Sequence, residues 1–548
     1  MLGPVAAGLA GAVGPAFGWA PELGAAGVSL EAWSTLFGWP GLARAAGLSL
    51  SVGVLATGVS LAITLLICAG WQGTRVWRWV ERGLSPILAM PHAAAAFGLA
   101  FLIAPSGWAV RAASPWLTGW ETPPDVLVVQ DPLGLALVAG LVAKEVPFLL
   151  LMTLAASAQA EAGRTLLVAR ALGQGRVSGW LKAVLPRLWP QIRLPVYAVL
   201  AYSMSVVDVA AILGPNAPPT LAVRIVGWMN DPDLSWRAVA AAGALLQLGL
   251  VVGALAAWRI GEDLVGRLGR RWAEGGSRWP AAAEGAARGA GLPAAAVTAA
   301  AAGFGLAGLA VWSFAGLWTF PDALPDGWTL RSWARHGPGM AGPALATLGI
   351  ALAATLVALG LAAACLETEF RRGRRPGAGA LWLLYVPLIV PQVAFLPGLQ
   401  RLALAAGLEG GWASIAAAHL VFVLPYVFLS LSDPWRAWDR RWATAGAALG
   451  ASGWGVLWRV RAPMMLAPLL TAFAVGFAVS VGQYLPTLLI GGGRVPTLTT
   501  EAVALASGGD RRAIGVWALA QAGAAAAPFL LAALGPRLIW RNRRALVG

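Results

Sequence analysis

The stretch "ARALGQGRVSGWLKAVLP" (169–186) has a counterpart, "GAALGASGWGVLWRVRAP" (446–463), in the other half of the chain. Both carry Ala-Leu-Gly, as Ala171-Leu172-Gly173 and Ala448-Leu449-Gly450, and both reach a proline, Pro186 or Pro463, thirteen residues after the glycine. Each glycine interrupts a helix-forming stretch, and glycine tolerates φ > 0, so the spacing predicts two short helices meeting at a bend in each copy. The first copy is also basic, with Arg170, Arg176, Lys182 and, just beyond it, Arg187.

The surrounding composition sets the class. Of 548 residues, 58% are hydrophobic and 11% charged, against about 25% charge in a soluble domain. A single water-soluble core is excluded. Apolar runs recur along the chain, each long enough to cross ~30 Å of hydrocarbon as a helix. They predict an all-α polytopic membrane protein with twelve spans, near 2–20, 45–69, 84–106, 132–156, 188–213, 236–258, 292–315, 342–365, 379–402, 412–432, 464–490 and 513–535. The first lacks the charged leader and small-residue cleavage site of a signal peptide, so it is taken as a helix. The abundant Ala and Gly predict close approach between helix backbones.

Arg and Lys set the orientation. With both termini cytoplasmic, the segments 71–83, 158–193, 259–288, 367–375, 434–463 and 537–548 face inward and hold 28 of the 39 basic residues. The net charge of +15 therefore follows membrane topology and calls for a bilayer, not nucleic acid. Both glycine-broken segments fall on the cytoplasmic side. The two cysteines, Cys68 and Cys365, lie in apolar runs and support neither a disulfide framework nor a thiolate metal site.

The repeat extends beyond the elbows. At an offset of 277, Pro186 falls on Pro463, Gly214 on Gly491 and Pro219-Thr220-Leu221 on Pro496-Thr497-Leu498. Pro147 maps to Pro425, and Pro91 to Pro391, with the difference absorbed in loops. The chain is thus expected to be two six-helix halves of the same topology. Residues 1–260 form the first half, with its loop at 160–187, and 292–548 the second, with its loop at 436–464. A Gly/Ala/Arg-rich cytoplasmic linker at 261–291, expected to be flexible, joins them. Parallel repeats flanking a pathway are a common transporter plan. A bent, cytoplasm-facing elbow tethered at both ends to membrane helices can dock in a groove of another protein and pass a push to the bundle. A basic loop that merely obeys the positive-inside rule would account for one copy. Two copies with identical spacing in equivalent positions favour coupling.

The pair resembles the "EAA" loops of permease subunits in type I ATP-binding-cassette (ABC) importers, in which Glu-Ala-Ala is followed by three residues, a glycine, and a hydrophobic-Leu-Pro ending. Gly173 and Gly450, Pro186 and Pro463 are kept, and Leu185-Pro186 matches the ending. The glutamate position holds Leu167 in one copy and Thr444 in the other, and Glu161 lies six residues too early to replace it. "SMSVVDVAAILGPNAPPTLAV" (203–223) and "SVGQYLPTLLIGGGRVPTLTTEAVALASGGDRR" (480–512) are similar to the fifth-helix exit and following external loop of permeases in the ferric-iron, thiamine, sulfate and polyamine group. The fused two-half form is closest to the ferric-iron and thiamine types. The resemblance implies a bacterial inner-membrane location, two ABC ATPase subunits below, a periplasmic or lipid-anchored binding protein above, and thiamine or ferric iron as candidate cargo.

Nothing in the chain supplies its own energy or chemistry. A P-loop needs a lysine after glycine, yet Lys144 follows Ala143 and Lys182 follows Leu181. ATP would be used by a partner subunit, and the chain is expected to bind no cofactor and to be no enzyme. His92, His336 and His419 fit no zinc spacing. Charged or polar residues inside spans are costly and mark pathways or internal pairs. The candidates are Lys144 and Glu145 in the fourth span, Tyr202 and Asp208 in the fifth, and Gln483 and Tyr484 in its repeat counterpart. Structural pairing, or contact with interfacial water at helix ends, explains them equally well. His92 and Gln392 each follow a repeat-matched proline expected to kink a helix. A proton- or sodium-driven secondary transporter of six plus six helices, with Lys144, Glu145 or Asp208 as the ion-coupling group, is the alternative. It leaves the two elbows unexplained.

Overall fold

The computed structural model describes residues 2–21, 25–373, 377–408 and 410–539. Most of the basic run expected on the inner side at 537–548 lies outside them. The described chain is helical, its strands confined to the two-residue pair Trp19–Ala20 and Ala25–Ala26.

Eight described helices are long and apolar enough to span a bilayer, and ten if two sharply bent pairs each count once. The two that fall short are the first and fifth of the twelve expected spans. The first is the helix Leu2–Ala16, whose 15 residues rise about 22 Å, less than the ~30 Å of hydrocarbon. The fifth, Leu185–Ser205, carries Arg187 and Arg193 and then breaks at Val206. Breaks mark the other bent elements too. The expected third span is divided at Met90–Pro91, between helices Arg75–Ala89 and His92–Ile103. Its counterpart breaks at Val390–Pro391 with a bend of 91°. Proline removes an N–H and crowds the preceding turn, so each helix stops just before it.

The two halves are interlocked through their first helices. Leu2–Ala16 lies along Gln392–Ala405 of the second half, and Ala281–Phe314 lies along His92–Ile103 of the first. Glycines set both crossings. A Cβ on Gly11 would sit 2.7 Å from the carbonyl oxygen of Gly398, and one on Gly98 would sit 2.7 Å from the carbonyl carbon of Gly305. Without side chains the helices meet backbone to backbone.

The repeat extends to individual hydrogen bonds. Ser49 Oγ accepts from the Leu221 N–H at 3.1 Å, and Thr347 Oγ1 accepts from the Leu498 N–H at 2.9 Å. In both halves a hydroxyl from a long neighbouring helix thus satisfies an N–H that the start of a short helix leaves open.

The linker departs from expectation. Residues 261–291 are helical in all but the Gly275–Pro280 joint: Trp236–Glu274 continues through their first part and Ala281–Phe314 begins in their last. Alanine is the strongest helix former, and "AAAEGAARGAG" (281–291) carries helix straight from the joint into the span.

Candidate functional site

The two elbows share one backbone construction. In the first, helix Ala162–Ala171 ends and Gly173 turns at φ +81°. The N–H groups of Leu172, Gly173 and Gln174 donate to the carbonyls of Val168, Arg170 and Ala169. In the second, helix Arg441–Ala448 ends, Gly450 turns at φ +82°, and Leu449, Gly450 and Ala451 donate to Ala445, Ala447 and Gly446. This is the left-handed helix stop that glycine makes available. Beyond each bend a helix starts again, passes through a wide turn, Trp180–Val184 or Leu457–Arg461, and continues inward. Leu185 and Pro186 follow the first wide turn directly, and Pro463 lies in the turn after the second.

Each elbow has a buried floor and an exposed apolar ridge. Leu166, Ala169, Val177 and Trp180 are buried under the first, while Leu167, Val168 and Leu172 are exposed, Leu172 to 70%. Gly446, Val456 and Leu457 lie beneath the second, where Trp442 and Leu449 are exposed, Leu449 to 88%. Ala171 and Ala448 lie on the same outer faces. The floors differ in chemistry. Under the second elbow Arg461 is buried, pairs with Glu367 at 2.8 Å, donates to the Trp435 carbonyl at 2.7 Å and stacks on Phe370 and Trp438. A cavity of about 250 Å³ opens beside it. In the first elbow the corresponding position is the apolar Val184, and Arg176 instead donates to the carbonyls of Gly70 and Gln72.

The candidate pathway residues divide into three groups. Lys144 Nζ donates to the carbonyls of Ile87, at 2.9 Å, and Met90, at 2.6 Å. These carbonyls lie at the end of a helix that Pro91 stops, where Ile87 also accepts the Met90 N–H at 3.4 Å, and a cation is well placed at such an end. Lys144 is thereby committed to a helix break. Glu145 faces the other way, its carboxylate 3.7 Å from His92 Nε2. The His92 ring lies 5.1 Å from that of Tyr202. Tyr202 is in electrostatic reach of Asp208, Glu145 and Tyr426, and Tyr484 is in reach of Asp208. Asp208 is buried at the start of Asp208–Leu213, and Tyr484 precedes Leu485–Gly491, so both stand at breaks in the two fifth helices. Gln483 belongs elsewhere. It borders a small polar pocket with His419, Ser480 and Thr487. The repeat offset places Asp208 on Leu485, and it is Tyr484 that the fold brings to Asp208.

Sequence reasoning missed Tyr426 at this centre and the role of His419 in the pocket beside Gln483. Tyr426 directly follows Pro425, the repeat partner of Pro147, and joins Tyr202 and Tyr484 in electrostatic reach of Glu145 or Asp208. His419 is buried, its ring nitrogens 2.8 Å from Ser480 Oγ and 2.9 Å from Thr487 Oγ1. Among the described residues, no three His, Cys, Asp or Glu side chains converge as a metal ion requires.

Residues 356–535, which include the second elbow, match the family described as the binding-protein-dependent transport system inner membrane component. The inner membrane ABC transporter permease protein YnjC of Escherichia coli (strain K12) is 34% identical over 499 residues, 90% of this chain and 88% of its own length. The chain belongs to the inner-membrane ABC transporter permeases. This permease is also similar to the spermidine/putrescine transport system permease protein PotC of Haemophilus influenzae, at 27% identity over 26% of this chain and 54% of PotC. The molybdenum transport system permease protein ModB of Mycobacterium bovis is 32% identical over 20% of this chain and 47% of its own. This permease is therefore a multi-pass inner-membrane transport protein that works with an ATPase and a substrate-binding protein.

Proposed function

We propose that this permease forms the whole translocation pathway from a single chain, its two halves replacing two separate subunits and each elbow seating in one of two ATPase copies. The carrying observation is the pair of elbows: the same helix stop, the same positive φ and an exposed apolar ridge, at repeat-equivalent positions. Two equivalent plugs demand two sockets. In this reading the elbows and both termini are cytoplasmic, ATP is bound and hydrolysed by the partner, and a periplasmic or lipid-anchored protein delivers cargo at the opposite face.

The pathway runs past Glu145, Asp208, Tyr202 and Tyr484. Two carboxylates among aromatic rings suit a cation, since a cation is drawn both to carboxylate and to the face of an aromatic ring. Thiamine and ferric iron are the candidate cargoes, and a cationic amine has the same chemistry. Lys144, held by the carbonyls of Ile87 and Met90, is left out of the proposed pathway.

Co-purification with the cognate ATPase and mass measurement of the detergent-solubilised complex tests the reading. Two ATPase copies per permease chain are expected, and one per chain overturns it. A cysteine at position 325, in a Cys68- and Cys365-free background, should react with an impermeant external reagent while one at 275 does not.

A further inference from the structure

The helix that resumes after the first bend starts at Arg176, and the N–H groups of its first turn have no acceptor within the helix. They are satisfied from far away in sequence. The Glu284 carboxylate accepts from the Val177 N–H at 2.8 Å and the Ser178 N–H at 2.9 Å. Glu284 sits in the first turn of Ala281–Phe314, just past the joint between the halves. Its neighbours grip the same elbow. Arg278 donates to the Leu172 carbonyl at 3.2 Å and closes over Gly173. Lys182 donates to the Ser277 carbonyl and lies 4.5 Å from the centre of the Trp272 ring.

The second elbow is also touched from a distance, by Arg371, which donates to the Gly453 carbonyl at 3.4 Å and lies over the Trp454 ring, but its N-cap is its own. Ser452 Oγ accepts from the Gly455 N–H at 3.1 Å, an N-cap from within its own chain segment. A Cβ on Gly450 would meet nothing within 4 Å, whereas one on Gly173 would meet Arg278. The repeat offset of 277 places Ser452 on Gly175. Gly175 has φ −62° and ψ 172°, a conformation open to any residue. Its backbone does not require glycine, and a Cβ there would push the Glu284 carboxylate out of its capping position. The missing self-cap and the borrowed carboxylate are thus two sides of one arrangement. A carboxylate at a helix N-terminus is favoured by both charge and hydrogen bonding.

We propose that the inter-half linker is a working part of the first elbow: Glu284 is its N-cap and positioning residue, tying that elbow to the junction of the halves, while the second elbow is capped by its own segment. This rests on the reading of the elbows as ATPase-docking elements. Any displacement of the first elbow must then carry the 272–284 joint with it, so the two elbows transmit unequal strokes.

Hydrogen–deuterium exchange on the full chain in lipid nanodiscs tests the cap without any ATPase. Glu284→Ala should speed exchange at Val177 and Ser178 about tenfold and leave 454–455 unchanged. The double variant Glu284→Ala, Gly175→Ser should restore protection, because serine then caps from the position that Ser452 holds. Unchanged exchange at Val177 and Ser178, or an equal rise in both elbows, overturns the cap. The tie is read in the complex reconstituted with its ATPase and binding protein. The self-capped double variant should keep the KM for ATP but move less substrate per ATP hydrolysed than the parent. Parental transport per ATP overturns the tie. Failure of the docking reading shows separately, as parental coupling when Gly173 and Gly450 are both replaced while the exchange result stands.

Discussion

Lys144 Nζ lies 2.6 Å from the carbonyl oxygen of Met90, at the point where Pro91 halts a membrane helix. The ammonium is held by backbone oxygens of a different segment, with Ile87 supplying the second. Lys144→Met removes the donor and leaves the Met90 carbonyl without a partner inside the bundle, while Ile87 keeps only the Met90 N–H at 3.4 Å. Each unsatisfied buried group costs about 1–3 kcal/mol. A clear fall in thermal stability of the purified permease is expected, while Lys182→Met, at the exposed elbow, falls less. Equal losses would show that Lys144 does no more than a peripheral lysine.

The helix exchange between the halves rests on backbone contact at Gly98 and Gly305. Gly98→Ala places a methyl group against the Gly305 backbone at 2.7 Å, and overpacking of this kind costs about 1–3 kcal/mol. Gly303 is two residues away on the same helix, where a Cβ meets nothing within 4 Å. Gly303→Ala should be neutral or stabilising by up to about 1 kcal/mol. Thermal unfolding of both variants in one detergent decides it, and similar midpoints would remove Gly98 from the interface.

What could be read from the chain and what could not divides along physical lines. The bends at Gly173 and Gly450 were legible because a helix stop is local backbone chemistry, written in the spacing of glycine and proline. The breaks before Pro91 and Pro391 were legible for the same reason. The placement of Leu2–Ala16 on the second half was not, since Gly11 and Gly398 carry no sign of each other. The partner of Lys144 is a pair of main-chain carbonyls, which have no residue signature. Asp208 and Gln483 are not repeat partners: at the offset of 277 the helices Asp208–Leu213 and Leu485–Gly491 start at equivalent positions, and Tyr484, one residue before the second, has no residue signature that points to Asp208. Glu284 was hidden inside a segment whose Gly, Ala and Arg content suggested flexibility.

Replacing Gly173 and Gly450 together with valine tests coupling directly. Both residues hold φ near +80°, where a β-branched side chain is strained by about 1–3 kcal/mol. The elbows should straighten, while membrane insertion, which depends on the apolar spans, continues. Substrate uptake in proteoliposomes containing ATPase and binding protein should be lost or strongly reduced with normal amounts of permease in the membrane. Parental uptake would leave the two matched Gly-to-Pro spacings without a coupling role.

Asp208 and Gln483 now make unlike predictions. Asp208 stands at a helix break with Tyr202 and Tyr484, its carboxylate also within reach of His92. Gln483 borders the separate His419 pocket. Asp208→Asn preserves shape and removes the negative charge that a passing cation would meet. Hydrogen bonds to charged groups are worth about 1.5–3 kcal/mol, so uptake of a cationic cargo should fall about tenfold or more. ATP hydrolysis stimulated by the binding protein should persist, because the elbows are remote from this centre. Gln483→Ala should leave uptake near the parental rate. Loss in both variants would merge the two polar groups into one pathway. Parental uptake in Asp208→Asn would make its carboxylate a structural feature of the helix break, and the cargo's charge would have to be read elsewhere.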